Sequence, residues 1–189
     1  NKAQVIQWLQ NFAAEIERNK EYLTELDAAI GDADHGINMD RGFKKVAGQL
    51  SSLADKDIST ILKTVSMTLI STVGGASGPL YGTFFLRAST AVIGKEELAT
   101  EDLLKLLQVG LEGVVQRGKA HLGDKTMIDV LSPVVDSFQQ SVDNNKNVLE
   151  AMHQVVSVAE QAMKDTIPML AKKGRASYLG DRSIGHQDP

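Results

Sequence analysis

Apolar residues return every three or four positions along most of the chain, the period of helices that bury one face. Val5, Trp8, Leu9, Phe12 and Ile16 mark the first stripe, with Glu, Arg and Lys between them, and predict a helix over residues 1 to about 26. Later stripes predict helices at about 37–50, 58–72, 80–93, 100–115, 126–138 and 148–167. Thr100, followed by Glu101 and Asp102, reads as an N-cap with an acidic first turn. Pro133 falls inside the 126–138 stripe, where a kink is expected. No run alternates with the two-residue period of a strand, and no segment repeats. The pattern predicts one all-α domain over residues 1–189, with about seven or eight amphipathic helices joined by short loops.

The interruptions carry the chemistry. Between the first two stripes lies Leu26-Asp27-Ala28-Ala29-Ile30-Gly31-Asp32-Ala33-Asp34-His35-Gly36-Ile37-Asn38, three carboxylates within eight residues. Carboxylates this close repel one another unless a cation neutralises them. Oxygen ligands select Mg²⁺ or Ca²⁺ over softer metals. An EF-hand loop starting at Asp32 would need Gly at its sixth position and Glu at its twelfth, and Ile37 and Phe43 stand there instead. Residue types alone fit a metal site and a plain capping turn about equally. The helix after this turn would present its first N–H groups toward it, and His35 and Asn38 fit either phosphate contact or capping.

Two glycine loops follow. Gly75-Ala76-Ser77-Gly78-Pro79 falls short of a nucleophile elbow, because Pro79 occupies the last position of G-x-S-x-G and no strand precedes it. A Gly/Ser loop opening a helix suits an anion, and it suits an ordinary interhelical turn as well. Gly118 to Thr126 misses a Walker A loop, since Asp124 intrudes between Gly123 and Lys125. G-x-G-x-x-G is absent. Met127 fits a core position or an apolar wall for a flat base. His121, His153 and His186 share no metal-ligand spacing. Residues 171–189 carry no apolar period; Arg175 and Arg182 in this tail fit either phosphate pairing or simple solvation.

Composition narrows the classes. The apolar fraction is 42% and the formal charge −4, which gives no support for binding nucleic acid or an anionic membrane. The chain has no cysteine, so disulfides, thiolate metal sites and cysteine nucleophiles are excluded. No basic segment leads into an apolar run, and no stretch reaches the roughly 18 apolar residues of a membrane helix. A cytoplasmic protein is expected.

Four motifs occur together and in order: the acidic turn, Gly-Gly-Ala-Ser-Gly-Pro-Leu-Tyr-Gly at 74–82, Gly-Asp-Lys-Thr-Met-Ile-Asp at 123–129, and Gly-Arg-Ala-Ser-Tyr-Leu-Gly-Asp-Arg-Ser-Ile-Gly-His-Gln-Asp-Pro at 174–189. Together they resemble the nucleotide-binding L subunits of bacterial, phosphoenolpyruvate-dependent dihydroxyacetone kinases, over essentially the whole chain. The resemblance implies an up-and-down barrel of eight helices holding ADP and two Mg²⁺ ions at one end. It implies Asp27, Asp32 and Asp34 as metal ligands. His35, Gly36, Ile37, Asn38, Ala76 and Ser77 would lie on the phosphates. Gly118 and Met127 would line the adenine pocket, with Arg175 closing over the nucleotide. The implied partners are a phosphohistidine carrier (M) subunit and a K subunit that holds dihydroxyacetone, with a homodimer left open. The same fold also serves ATP-consuming kinases and the nucleotide domain of fatty-acid kinase, and a regulatory module responsive to nucleotide state is a third reading. The His35-bearing Gly-Asp-Ala-Asp-His-Gly sequence fits dihydroxyacetone kinases better than fatty-acid kinases.

Overall fold

The stripes fold as eight α-helices in the computed structural model, which describes residues 1–189. They are α1 (Lys2–Arg18), α2 (Lys20–Ile30), α3 (His35–Leu50), α4 (Ile58–Thr72), α5 (Ser77–Thr90), α6 (Thr100–Gly118), α7 (Ile128–Asp143) and α8 (Val148–Asp165). Short 3-10 segments cover Ser51–Leu53 and Arg175–Ser183, and there is no strand. From α3 onward each helix packs on its neighbour in sequence, and α1 and α2 both pack on α3. That is the order of an up-and-down bundle. No helix is long and apolar enough to cross a membrane.

This topology sorts the connections to two ends. Lys2 N–H donates to Glu96 O and Ile58 N–H to Lys95 O, both at 3.0 Å, so the starts of α1 and α4 share one end with the α5–α6 connection. The opposite end gathers the α2–α3, α4–α5 and α6–α7 connections and the tail after α8. All four motifs therefore meet at one end, although 135 residues lie between the end of the first at Asn38 and the start of the last at Gly174.

The main core runs through α1, α3, α4, α5 and α6, with Leu9, Phe43, Ile61, Leu62, Leu69 and Ala88 fully buried. Phe12 meets Phe43 edge-on at 4.5 Å. A smaller core, Leu104, Phe138, Ala151 and Val155, joins α6, α7 and α8. Burying apolar area of this kind supplies most of the drive to fold, at roughly 25 cal/mol per Å².

Several boundaries depart from the expected ones. The single helix expected over 1–26 breaks at Asn19, whose amide donates back to Glu15 O at 2.9 Å, and α2 then runs on to Ile30. Asp27 thus sits in the last turn of a helix rather than in a loop. Helices α3 and α5 start at His35 and Ser77, ahead of their apolar stripes. Pro79 lies in the first turn of α5, where its missing N–H costs no helical bond. At α6 the cap is Ala99 rather than Thr100, and the Asp102 carboxylate accepts the Ala99 N–H at 3.0 Å. Pro133 stays inside the continuous α7.

Candidate functional site

The acidic corner is built by its own backbone. Asp27 Oδ2 accepts the N–H groups of Asp34 (2.9 Å) and His35 (3.2 Å), so a carboxylate on α2 caps the start of α3. The link between them is short: Gly31 ends α2 and Ala33 takes a left-handed φ of 61°. A Cβ at Gly31 would fall 1.9 Å from Asp27 Oδ1, so only glycine lets the chain turn this close to that carboxylate. The turn brings carboxylate oxygens of Asp27, Asp32 and Asp34 within 4.8 Å of one another. Such a cluster of hard oxygen donors fits a divalent cation of the Mg²⁺ type.

Two helix N-termini converge beside these carboxylates. Ser77 Oγ at the start of α5 hydrogen-bonds His35 Nδ1 at the start of α3, 3.1 Å apart. Burial holds the His35 imidazole below its ordinary pKa, against the opposing pull of the Asp27 and Asp34 charges. The ring is therefore neutral at pH 7. The N–H groups of Gly36 and Ile37 find no backbone acceptor within the chain. Free N–H groups and the positive end of each helix dipole favour an anion here.

Between these N-termini, the end of α6, the start of α7 and the tail lies a cavity of about 400 Å³. That is within the range of small-molecule sites, about 300–1,000 Å³. Its polar end holds Asp27, His35, Ser77 and Arg175; Leu80, Val114, Met127 and Ile128 make its apolar wall. Arg175 reaches across the mouth to Asp32, Nη2 to Oδ2 at 3.0 Å.

Most of the residues singled out by sequence meet here. Asp27, His35, Ala76, Ser77, Gly118, Met127 and Arg175 line the cavity, and Asp32 and Asp34 stand at its edge with Asp27. Gly36, Ile37 and Asn38 do not line it. A Cβ at Gly36 would lie 2.0 Å from Lys20 O, so this glycine serves the close packing of α3 on α2. The Ile37 side chain faces outward and is 48% exposed. Asn38 is buried and accepts a hydrogen bond from Arg41 Nη2 at 2.7 Å. The backbone N–H groups of Gly36 and Ile37 remain without a partner at this helix start.

Sequence reasoning missed three groups. Asp129 accepts the N–H groups of Gly123 (2.6 Å) and Thr126 (2.8 Å) and fixes the loop that enters α7. Lys125 is only 2% exposed and sits at a left-handed φ of 63°. Asp188 lines the cavity from the far end of the tail. Burial pushes its carboxyl up to about 7, with Lys125 opposing and Asp129 and Asp27 adding to the rise. The Asp129 and Lys125 signals were present as polar residues bounding a glycine loop, but nothing local marked them as buried.

The DAK2 domain model matches residues 29–189. The chain is 53% identical to the PEP-dependent dihydroxyacetone kinase, ADP-binding subunit DhaL, of Escherichia coli (strain K12), over all of this chain and 90% of that protein. It is 45% identical to the PTS-dependent dihydroxyacetone kinase, ADP-binding subunit DhaL, of Lactococcus lactis, over 97% of this chain and 88% of that one. Among solved structures, the dihydroxyacetone kinase from C. freundii in complex with AMP-PNP and Mg²⁺ superposes with a TM-score of 0.71 at 25% identity. That match covers 96% of this chain and 31% of the kinase, so this chain spans about a third of the kinase's length.

Proposed function

The chain belongs to the DAK2 domain family, and on that premise we propose that it is the ADP-binding subunit of a multi-subunit, phosphoenolpyruvate-dependent dihydroxyacetone kinase. In this reading it works in the cytoplasm between a phosphohistidine carrier and a subunit that holds dihydroxyacetone. Bound ADP would supply the chemistry of a phosphoryl acceptor and donor, and this chain's residues would hold it in place. The observation that carries the reading is the meeting of three carboxylates, two helix N-termini and an apolar-walled cavity at one end of the bundle.

Phosphoryl transfer asks for positioning and charge neutralisation more than for a protein nucleophile. This site offers those two things. Asp27, Asp32 and Asp34 would hold two Mg²⁺ ions, which spread the negative charge of the transferring group. The N–H groups of Gly36 and Ile37, with His35 and Ser77, would orient the phosphates. Neutral His35 suits a hydrogen-bonding role rather than a fixed counter-charge. Met127, Gly118 and Leu80 would wall the base, and Arg175 would cover the phosphate end while excluding water.

Asp32→Ala tests the metal role directly. Asp32 lies at the rim and supports no helix start, so the variant is expected to fold normally and to lose phosphoryl transfer from the phosphorylated carrier by at least about a hundredfold. Transfer at the wild-type rate would refute the ligand assignment. A second reading, an ATP-consuming subunit, draws on the likeness to a kinase solved with AMP-PNP and Mg²⁺. Turnover with ATP alone, with no phosphorylated carrier present, would select it over the relay.

A further inference from the structure

The tail from Ile167 to Gly185 is a loop closed at its base. Gly185 N–H donates to Ile167 O at 2.8 Å, and Ala171 N–H donates to Ser183 Oγ at 2.9 Å. Lys172 N–H adds a bond to Asp124 O at 3.0 Å. Gly174 and Arg175 stand at the far side of this loop, against the cavity and the acidic corner.

Lys125 sits where the base closes. Its ammonium has three protons to give. It donates to Ser183 O at 2.6 Å, to Met169 O at 3.1 Å and to Ile167 O at 3.5 Å. Ile167 and Met169 lie on the outgoing limb of the loop and Ser183 on the returning limb, so a single cation holds both limbs. All three are backbone carbonyls, and each bond is charge-assisted. Burying an ammonium is expensive unless its protons are all placed, and the left-handed backbone at Lys125 adds about 1 kcal/mol. What the cation supplies is a fixed location for the tail relative to the loop that carries Met127, two residues on.

We propose that Lys125 is a positioning residue of the nucleotide site: its ammonium locks the base of the 167–185 loop and thereby sets Arg175 over the acidic corner. The inference rests on the nucleotide reading above for its consequence, though not for the anchoring itself. Lys125 acts through the tail, and it ties the apolar wall of the cavity to the residue that covers the opposite, phosphate end.

The test uses Lys125→Met, which keeps the stem and removes the cation, and Ser183→Ala, which keeps the cation and loosens the same base. The first measurement is limited trypsin digestion of the metal-free and nucleotide-free chain. Cleavage after Lys172, Lys173 and Arg175 is expected to accelerate at least about tenfold in Lys125→Met and less in Ser183→Ala, with the helical unfolding transition retained. If Lys125→Met does not fold, Lys125→Gln, which keeps a polar end but removes the ammonium, is digested in the same way; faster cleavage at those bonds supports the lock, and a wild-type digestion rate there overturns the proposal. The second measurement is the dissociation rate of a fluorescent ADP analogue with Mg²⁺. Lys125→Met should speed it at least about tenfold, and the increment should shrink below about threefold when Arg175 is already Ala. Digestion within twofold of wild type, or a full increment that persists in the Arg175→Ala background, would overturn the proposal. If the wild-type chain binds no ADP analogue, the nucleotide reading fails, and the digestion experiment still judges the anchor alone.

Discussion

Two walls face each other across the cavity, and they are held in opposite ways. The acidic corner is local: Asp27 grips N–H groups seven and eight residues further on, and a tight turn does the rest. The tail is held from afar, through Lys125 bonds spanning 42, 44 and 58 residues. A locally built wall keeps its shape as long as α2 and α3 stay helical and packed. A wall held at a few distant points can open without unfolding the bundle, because local opening needs only those points to let go. One side of the site is thus a fixed electrostatic template and the other a cover.

The largest expected effect sharpens that contrast at the fixed wall. Asp27→Ala removes a proposed metal ligand and the cap on α3 together. Mg²⁺-dependent ADP affinity should fall at least about a hundredfold, or roughly 2.7 kcal/mol by calorimetry. The metal-free chain should also lose about 1 kcal/mol in a urea titration. Asp32→Ala should match the first loss without the second, which separates ligand from cap.

Asp188 tests the tail wall through pH. Its folded-state carboxyl holds a proton to about 7, chiefly because of burial, whereas an unfolded Asp loses its proton near pH 3.9. Between those values the folded state binds the extra proton, so wild-type stability should decline as pH rises and level off above 7. Asp188→Asn does not titrate. In the metal-free chain the melting temperature of the variant minus that of wild type should therefore climb from pH 4 to 7, by an amount worth on the order of a few kcal/mol. A flat difference across that range would contradict the assignment of a buried, proton-holding carboxyl.

Gly36→Ala strikes the packing under the acidic corner. The added Cβ would fall 2.0 Å from Lys20 O, so α3 must shift away from α2, at an expected cost of about 1–3 kcal/mol by denaturant unfolding. The smallest effect belongs to Arg175→Ala. Its pair with Asp32 is well exposed, so removing it should change metal-free stability by less than about 1 kcal/mol, read from the urea midpoint. A larger loss would mean that the cover is part of the fold rather than an addition to it.

What the sequence revealed follows the same division. Apolar periodicity located the helices because each helix carries its own stripe, and α3, α4 and α8 appear close to where the stripes placed them. The Asp27–Asp34 turn is legible as a metal candidate because its carboxylates are neighbours in the chain. The break at Asn19 was not, since an unbroken stripe of apolar positions crosses it and the Asn19 amide bond to Glu15 O gives no periodic signal. The tail's charges fit solvation and phosphate contact equally in the sequence, for a sharper reason. It is held by carbonyls at 167, 169 and 183, and a backbone carbonyl has no residue type to recognise. The burial of Lys125 likewise leaves no local signal, because it depends on chain that arrives some forty to sixty residues later.

The account stands most directly on whether the site holds its nucleotide as a resident group. The chain should be purified without added nucleotide, dialysed extensively, denatured, and its released nucleotide and Mg²⁺ quantified. The prediction is about one ADP and about two Mg²⁺ per chain, retained because binding to the folded state alone is tight. A chain that emerges empty and binds neither Mg²⁺ nor ADP on re-addition would contradict the central claim.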